Sequence, residues 1–291
     1  MATRSQWIAG ARPRTLPAAI APVLIGCAIA EYQHAFRPFI ALCAFIVALA
    51  LQVGVNYAND YSDGIRGTDD VRVGPVRLVG QGLATPNAVK QAAFICFGVA
   101  GIAGLAMTAL SHLLILIPIG ISAIIAAWFY TGGKSPYGYL GLGELFVFTY
   151  FGLVAVCGTT ASQISHLDAL SLIAGCACGL LSTAILLANN IRDIPQDVQS
   201  GKRTLASRIG DSNARFLYIA CVLTGIALSC LIALQGPRLA VFGLAATFVA
   251  IEPLRIVIQR ATGKALIPVL VGTGRTLLVY SLIVSFGIFC S

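Results

Sequence analysis

The hydrophobic pattern of the chain consists of long apolar stretches separated by short polar loops. A transmembrane helix requires about 20 consecutive apolar residues, and nine stretches approach that length. They predict helices near residues 16–33, 38–59, 86–110, 112–130, 143–161, 168–191, 214–234, 238–258 and 267–289. The pattern therefore predicts an all-α, polytopic membrane bundle of about nine helices that forms a single domain over residues 1–291.

The composition agrees with this pattern. Hydrophobic residues make up 58% of the chain and charged residues only 10%, whereas about a quarter of the residues of a soluble domain are charged. Most of the 19 Lys and Arg residues lie on one side of the predicted bundle. The positive-inside rule makes that side cytoplasmic. It predicts a multi-pass protein of the plasma membrane with its N-terminus inside and its C-terminus outside.

The net charge of +8 arises from these basic loops, which suit the anionic headgroups of a lipid bilayer. No basic soluble domain is predicted, so nucleic acid is not an expected partner. The sequence leaves the oligomeric state open.

Two polar runs interrupt the apolar pattern where predicted helices end on the cytoplasmic side. Each carries an amide and two carboxylates at helical spacing, and such spacing places them on one face. They are Asn56, Asp60 and Asp63 in the first run, and Asn189, Asp193 and Asp197 in the second. Carboxylates in membrane helices are costly and are usually functional. Their oxygen atoms suit Mg²⁺, which binds through a few carboxylates, waters and substrate phosphates, so the four aspartates predict a magnesium site.

Basic side chains accompany both runs. Arg66 and Arg77 follow the first run, Arg192 lies inside the second, and Lys202 follows it. Arg offers phosphate a bidentate fork and Lys a point charge. These residues therefore predict a diphosphate-binding site, with a role in topology alone as the alternative. Arg14, ahead of the first helix, is a candidate for contact with an acidic acceptor substrate or is part of the cytoplasmic flank.

A glycine- and tyrosine-rich loop, residues 130–144, joins two predicted helices on the same side. Glycine permits close approach of the backbone, and aromatic faces stabilise a nearby cation. Tyr130 and the other tyrosines of this loop are therefore candidates for the wall of a site that holds a carbocation. Anchoring at the membrane interface is the alternative for them.

These motifs resemble those of the UbiA superfamily of intramembrane aromatic prenyltransferases. The matching elements are Asn56-x3-Asp60-x2-Asp63, Asp193-x3-Asp197 and Tyr130-x3-Lys134. Within that superfamily, the segments at residues 12–17, 59–69, 72–79 and 137–144 resemble the branch that prenylates 1,4-dihydroxy-2-naphthoate in menaquinone synthesis.

The resemblance implies pseudo-repeated four-helix units, Mg²⁺ as cofactor, and polyprenyl diphosphate and 1,4-dihydroxy-2-naphthoate as substrates. Diphosphate and CO₂ are lost in the implied reaction, which forms demethylmenaquinone. The resemblance also implies that Asn56 and Asn189 support the metal ligands, and that Arg192, Lys202 and Lys134 hold the diphosphate. Many relatives space both aspartate motifs as Asp-x3-Asp, and the shorter first motif here leaves Asp69 as a rival ligand.

Three alternatives remain at this stage. Another aromatic prenyltransferase of the same superfamily, acting for example on 4-hydroxybenzoate, would carry the same aspartate motifs. A CDP-alcohol phosphotransferase shares the beginning of the first motif but lacks the rest of its own. A transporter built from repeated halves would place polar residues near the membrane midplane, whereas here they cluster at helix ends.

Overall fold

The computed structural model describes residues 2–67 and 76–291. The described helices are α1 (Arg4–Gly10), α2 (Pro17–Tyr32), α3 (Pro38–Ile65), α4 (Pro86–Ser111), α5 (Leu116–Phe129), α6 (Gly143–Phe148), α7 (Ala155–Ile164), α8 (Ala169–Gln199), α9 (Leu205–Ile209), α10 (Asp211–Leu234), α11 (Ala246–Ile258) and α12 (Ile267–Phe289). A π-helical segment, Thr149–Val154, makes α6 and α7 continuous, and 3₁₀ turns precede α11 and α12. The described part of the chain contains no β-strand, which confirms the all-α prediction.

The number of membrane spans differs slightly from the prediction. Seven helical stretches of the described chain are long and apolar enough to cross a bilayer. The bent pair Arg4–Thr15 and Pro17–Tyr32 adds an eighth if it counts as one span. Helix α5 has only 14 residues, and it rises about 21 Å against a hydrocarbon core of about 30 Å. The prediction of about nine spans was therefore somewhat too high, whereas a multi-pass helical membrane protein is confirmed.

Helices α3 and α8 carry the two polar runs, and both continue further than their hydrophobic patterns predict. The predicted ends at residues 59 and 191 move to Ile65 and Gln199, because the polar side chains beyond these points find partners inside the fold. Helix α3 packs along α4, and α8 packs along α10. Both polar runs therefore project from the last turns of continuous, well-supported helices.

The π-helical segment lies unusually close to α8. A Cβ atom at Gly152 would lie 2.4 Å from the carbonyl oxygen of Gly175 and 2.5 Å from Cα of Gly179. Glycine alone permits such an approach of two backbones. The contact holds the stretch from α6 to α7 against α8, and this stretch forms one wall of the site.

Candidate active site

An elongated cavity of about 580 Å³ runs through the bundle beside α2, α3, α4 and α5. It is lined from Ala44 to Asp63 along α3, a distance of about 28 Å at the rise of an α-helix. Most of its wall is apolar, and the charged and amide side chains lie toward the ends of the helices that carry the polar runs. These side chains are Arg12, Gln52, Asn56, Asn59, Asp63, Arg77, Asn189, Asn190, Asp197 and Lys202.

Asp63 is the carboxylate of α3 that faces this polar end. Tyr139 Oη donates a hydrogen bond of 2.7 Å to its Oδ1, and Lys202 Nζ lies 3.7 Å from the same oxygen. Arg77 Nη2 lies 3.9 Å from its Oδ2. The first polar run, the tyrosine-rich loop and the basic residue after the second run therefore meet at one carboxylate.

Asp197 is the carboxylate of α8 on the same cavity wall. Its Oδ2 accepts a hydrogen bond of 3.3 Å from Thr204 Oγ1, and its backbone carbonyl accepts one of 2.8 Å from Lys202 N. In the same loop, Arg203 N donates to the backbone oxygen of Tyr139 at 3.1 Å. These bonds fold the loop after α8 back over the cavity, so that the Lys202 ammonium reaches across to α3.

The other two predicted metal ligands, Asp60 and Asp193, lie off the cavity wall. The carboxylate of Asp60 accepts hydrogen bonds from Leu78 N at 2.7 Å and Val79 N at 3.1 Å. Arg192 donates through Nε and Nη2 to the two oxygens of Asp193, at 2.6 and 2.7 Å. In this conformation both carboxylates therefore hold protein groups in place.

Three of the basic residues predicted to hold the diphosphate also lie off the wall. Arg192 Nη2 donates to Asn189 Oδ1 at 2.8 Å, so it supports an amide that does line the cavity. The guanidinium of Arg66 donates to two backbone oxygens of residues 131–133 and lies over the Tyr139 ring. Lys134 is exposed to the surroundings of the protein.

At the start of α2, Arg12 lines the cavity whereas the predicted Arg14 is exposed. Arg12 has a φ of 54°, a left-handed conformation that residues other than glycine rarely adopt. Thr15 Oγ1 donates to the Arg12 carbonyl at 2.9 Å and accepts from Gln52 Nε2 at 2.8 Å and Asn56 Nδ2 at 3.1 Å. Asn56 thus supports the turn that presents Arg12.

A row of aromatic rings lines the cavity beside its polar end. The ring centroids of Tyr130 and Tyr137 are 5.5 Å apart, and those of Tyr137 and Phe146 are 4.0 Å apart in a stacked arrangement. Tyr137 Oη donates to the backbone oxygen of Ala126 at 2.8 Å. Burial raises the pKa of the Tyr137 phenol, so this wall is uncharged and rich in π electrons.

Two amides that the sequence motifs did not single out, Asn59 and Asn190, also line the cavity. Thr131 Oγ1 donates to Asn59 Oδ1 at 2.8 Å, and Asn190 Nδ2 donates to Glu144 Oε1 at 2.9 Å. Asn59 precedes Asp63 by one helical turn, so the helical spacing that made Asn56 a candidate site residue applies equally to Asn59. Asn190 directly follows the candidate residue Asn189, but nothing in the sequence indicates that its partner is Glu144.

The donor set at the polar end fits Mg²⁺. Among the described residues, no three His, Cys, Asp or Glu side chains converge as a complete metal cage. Asp63 and Asp197 nevertheless offer carboxylate oxygens on one cavity, beside the cations of Lys202 and Arg77. Mg²⁺ keeps several waters and takes further ligands from substrate phosphate, so a few carboxylates suffice. The predicted rival ligand Asp69 lies outside the described residues.

Fold and site together define a class: a multi-pass helical membrane protein whose buried cavity suits an amphiphile with an anionic head and a long apolar tail. The chain belongs to the UbiA prenyltransferase family, whose model matches residues 19–266.

Curated relatives resemble the chain over nearly its whole length. It is 49% identical over 285 residues to 1,4-dihydroxy-2-naphthoate octaprenyltransferase of Mycobacterium tuberculosis, with 98% of this chain and 97% of the relative covered. It is 39% identical over 295 residues to the enzyme of the same name from Escherichia coli, with 98% and 95% covered.

Solved structures share the fold at low sequence identity. A UbiA homologue from Archaeoglobus fulgidus bound to GPP and Mg²⁺ superposes with a TM-score of 0.70 at 12% identity, covering 98% of this chain and 100% of that one. A digeranylgeranylglyceryl phosphate synthase superposes with a TM-score of 0.64 at 14% identity, covering 98% and 97%.

Proposed function

We propose that this protein transfers a polyprenyl group from polyprenyl diphosphate to 1,4-dihydroxy-2-naphthoate, with loss of diphosphate and CO₂. The product is demethylmenaquinone, formed first as its quinol, so the reaction belongs to menaquinone biosynthesis. One observation carries the proposal. A single cavity joins the cation-lined polar end to a long apolar limb, the part of the cavity along α3, α4 and α5, in a chain 49% identical to an enzyme named for this reaction.

The diphosphate head group binds at the polar end. Lys202 and Arg77 supply positive charge on either side of Asp63, and Asp197 lies on the same wall. Asp63 and Asp197 would hold Mg²⁺, which when bound neutralises diphosphate charge and so makes diphosphate a better leaving group. In this scheme Asp60 and Asp193 support the site from behind, and they become direct ligands only if their present hydrogen bonds exchange.

The C–O bond of the allylic diphosphate then breaks, and both of its electrons leave with the diphosphate. The resulting allylic cation lies beside the rings of Tyr130, Tyr137 and Phe146. Their π faces stabilise positive charge, and the apolar limb along α3, α4 and α5 holds the tail away from water.

The electron-rich ring of the acceptor attacks the allylic cation through the carbon that carries its carboxylate. The C–C bond forms with a ring electron pair, and the carboxylate leaves as CO₂ while its bonding pair restores the aromatic ring. Arg12, which lines the same cavity, is the group we assign to that carboxylate before it leaves.

The positive-inside rule places the polar end at the cytoplasmic face, with the N-terminus inside and the C-terminus outside. Both substrates carry anionic groups, and the basic loops around this end attract them from the cytoplasmic side. The prenyl tail enters from the bilayer.

The proposal is tested with purified protein, Mg²⁺, a polyprenyl diphosphate and 1,4-dihydroxy-2-naphthoate, with 4-hydroxybenzoate in a parallel reaction. We expect the mass of prenylated, decarboxylated naphthoquinol from the first acceptor and no prenylated product from the second. Product from 4-hydroxybenzoate alone would retain the reaction type and overturn the acceptor. Diphosphate binding without product from either acceptor would overturn both.

A further inference from the structure

Glu144 is a buried carboxylate that the proposed reaction does not use. It lies at the start of α6, behind the cavity wall, and is only 5% exposed. Its Oε1 accepts the hydrogen bond from Asn190 Nδ2 at 2.9 Å, while its Oε2 has no hydrogen-bond partner among the described residues. Burying an incompletely satisfied carboxylate opposes folding, so its position calls for a functional explanation.

The contact determines which end of the Asn190 amide faces the cavity. An amide side chain offers NH₂ donors at one end and a carbonyl acceptor at the other. Because the NH₂ group is turned toward Glu144, the carbonyl oxygen is the end left for a ligand. Asn190 is 6% exposed and lines the cavity.

Asn59, on the first polar run, has the opposite orientation. Its Oδ1 accepts the hydrogen bond from Thr131 Oγ1 at 2.8 Å, so its NH₂ group is the end left for a ligand. The two helices therefore present opposite chemistry to one cavity: a donor near Asp63 and an acceptor on α8.

Depth along α8 separates Asn190 from the metal-binding end. Asn190 precedes Asp197 by about two helical turns, or about 10 Å at the helical rise. Mg²⁺ binds its ligands at about 2.1 Å, so an ion on the Asp197 carboxylate does not reach the Asn190 oxygen. The ligand of this oxygen must be a hydrogen-bond donor that lies deeper in the cavity.

We propose that Glu144 is a positioning residue: it fixes Asn190 so that the amide oxygen accepts a hydrogen bond from a ring hydroxyl of the acceptor substrate. This inference rests on the function proposed above, which supplies a dihydroxylated aromatic acceptor. A hydroxyl that donates a hydrogen bond gains electron density on its oxygen. That density passes into the ring and favours attack on an allylic cation.

The test uses Glu144→Met, Glu144→Gln, Asn190→Leu and the double variant Glu144→Met/Asn190→Leu. Loss of one hydrogen bond at the acceptor raises the KM for 1,4-dihydroxy-2-naphthoate about tenfold in Glu144→Met and in Asn190→Leu. The KM for polyprenyl diphosphate and the Mg²⁺ requirement stay as in the wild type. Glu144→Gln restores most of the affinity, because its amide oxygen still accepts from Asn190, and the double variant is no worse than Asn190→Leu alone.

Acceptor analogues identify the recognised group. The inhibition constants of 1-hydroxy-2-naphthoate and 4-hydroxy-2-naphthoate are measured on each variant. Asn190→Leu should raise the inhibition constant of the analogue that carries the recognised hydroxyl and leave that of the other analogue unchanged. Asp168→Asn is the matched control, since it is an acid-to-amide change at the other end of α8, where Asp168 caps the helix.

Additive losses in the double variant, an equal rise in the KM for polyprenyl diphosphate, or equal losses for both analogues would each overturn the positioning role. If Glu144→Met does not fold, Asn190→Leu with the two analogues still tests the contact between Asn190 and the acceptor hydroxyl, on which the positioning role depends, and equal losses for both analogues would still overturn the proposal. A wild-type protein without turnover on 1,4-dihydroxy-2-naphthoate would overturn the proposed function itself, and this inference would fall with it.

Discussion

Tyr139 Oη and Asp63 Oδ1 are joined by a hydrogen bond of 2.7 Å, although the two residues are 76 positions apart in the chain. The Lys202 ammonium lies 4.5 Å from the centroid of the same tyrosine ring. Lys202 Nζ lies 3.7 Å from Asp63 Oδ1, so the phenol of Tyr139 contacts both members of a long carboxylate–ammonium pair. Its hydrogen bond occupies one oxygen of the carboxylate and so limits how closely the ammonium approaches.

Replacing Tyr139 with Phe keeps the ring under Lys202 but removes the hydrogen bond to Asp63. Hydrogen bonds to charged groups contribute about 1.5–3 kcal/mol, and loss of this one allows Asp63 and Lys202, 3.7 Å apart in the wild type, to pair more closely. We expect turnover to fall about tenfold or more and the Mg²⁺ concentration for half-maximal rate to rise. Steady-state rates across a Mg²⁺ titration measure both, and an unchanged titration in Tyr139→Phe would contradict the assigned role of Asp63.

The two aspartates on the cavity wall, Asp63 and Asp197, should behave differently from Asp60. Asp63→Asn and Asp197→Asn remove charge from the cavity wall, so we expect turnover to fall at least about a hundredfold with little change in melting temperature. Asp60→Asn also weakens the acceptor of two backbone N–H groups and should lower the melting temperature. Thermal unfolding in detergent and rate measurements on the same samples make the comparison. Equal stability losses at Asp60 and Asp63 would show that this division is wrong.

The two arginines at the start of α2 should differ sharply. Arg12→Ala removes the arginine of this pair that lines the cavity, and loss of a charge-assisted hydrogen bond should raise the KM for 1,4-dihydroxy-2-naphthoate about tenfold to a hundredfold. Arg14→Ala, at an exposed position, should change it less than about twofold. Arg12→Ala should leave the affinity for 1,4-dihydroxynaphthalene unchanged, because this analogue lacks the carboxylate. The reverse ranking of the two variants would return the role to Arg14.

Glycines on α4 allow a test of the apolar limb. A Cβ atom at Gly101 or at Gly98 would meet nothing within 4 Å, but only Gly101 lines the cavity. Gly101→Leu should raise the KM for a long polyprenyl diphosphate several-fold and leave that for geranyl diphosphate unchanged, because the added side chain occupies the path of the tail. Gly98→Leu is the matched control, and an identical effect of the two variants would place the tail elsewhere.

The close approach of the π-helical segment to α8 should be sensitive to one methyl group. Gly152→Ala places a Cβ atom 2.4 Å from the Gly175 oxygen, and such overpacking costs about 1–3 kcal/mol of unfolding free energy. Denaturant unfolding in detergent micelles measures this loss. Gly98→Ala, at an exposed position of α4 where a Cβ atom meets nothing within 4 Å, serves as the control and should lose far less.

Much of the architecture is readable from local composition. Apolar stretches of span length predicted the all-α membrane bundle, because an isolated segment in lipid must satisfy its own backbone hydrogen bonds. The two polar runs stood out as costly in that setting. The pattern erred at α5, which is apolar but too short to count as a span, and at the ends of α3 and α8, where polar side chains prolong helices that hydropathy alone would end.

The rotation of each helix and the paths of the loops belong to the tertiary structure. Spacing placed Asp60 and Asp63 on one broad face of α3, but packing turns Asp63 to the cavity and Asp60 to the backbone of residues 78–79. Likewise, Arg12 rather than Arg14 lines the cavity because of a left-handed turn at Arg12 that Thr15 and Asn56 hold in place. A sequence records which residues are polar and how far apart they lie on a helix. Which of them share a cavity depends on contacts between segments distant in the chain, and those contacts exist only once the bundle has packed.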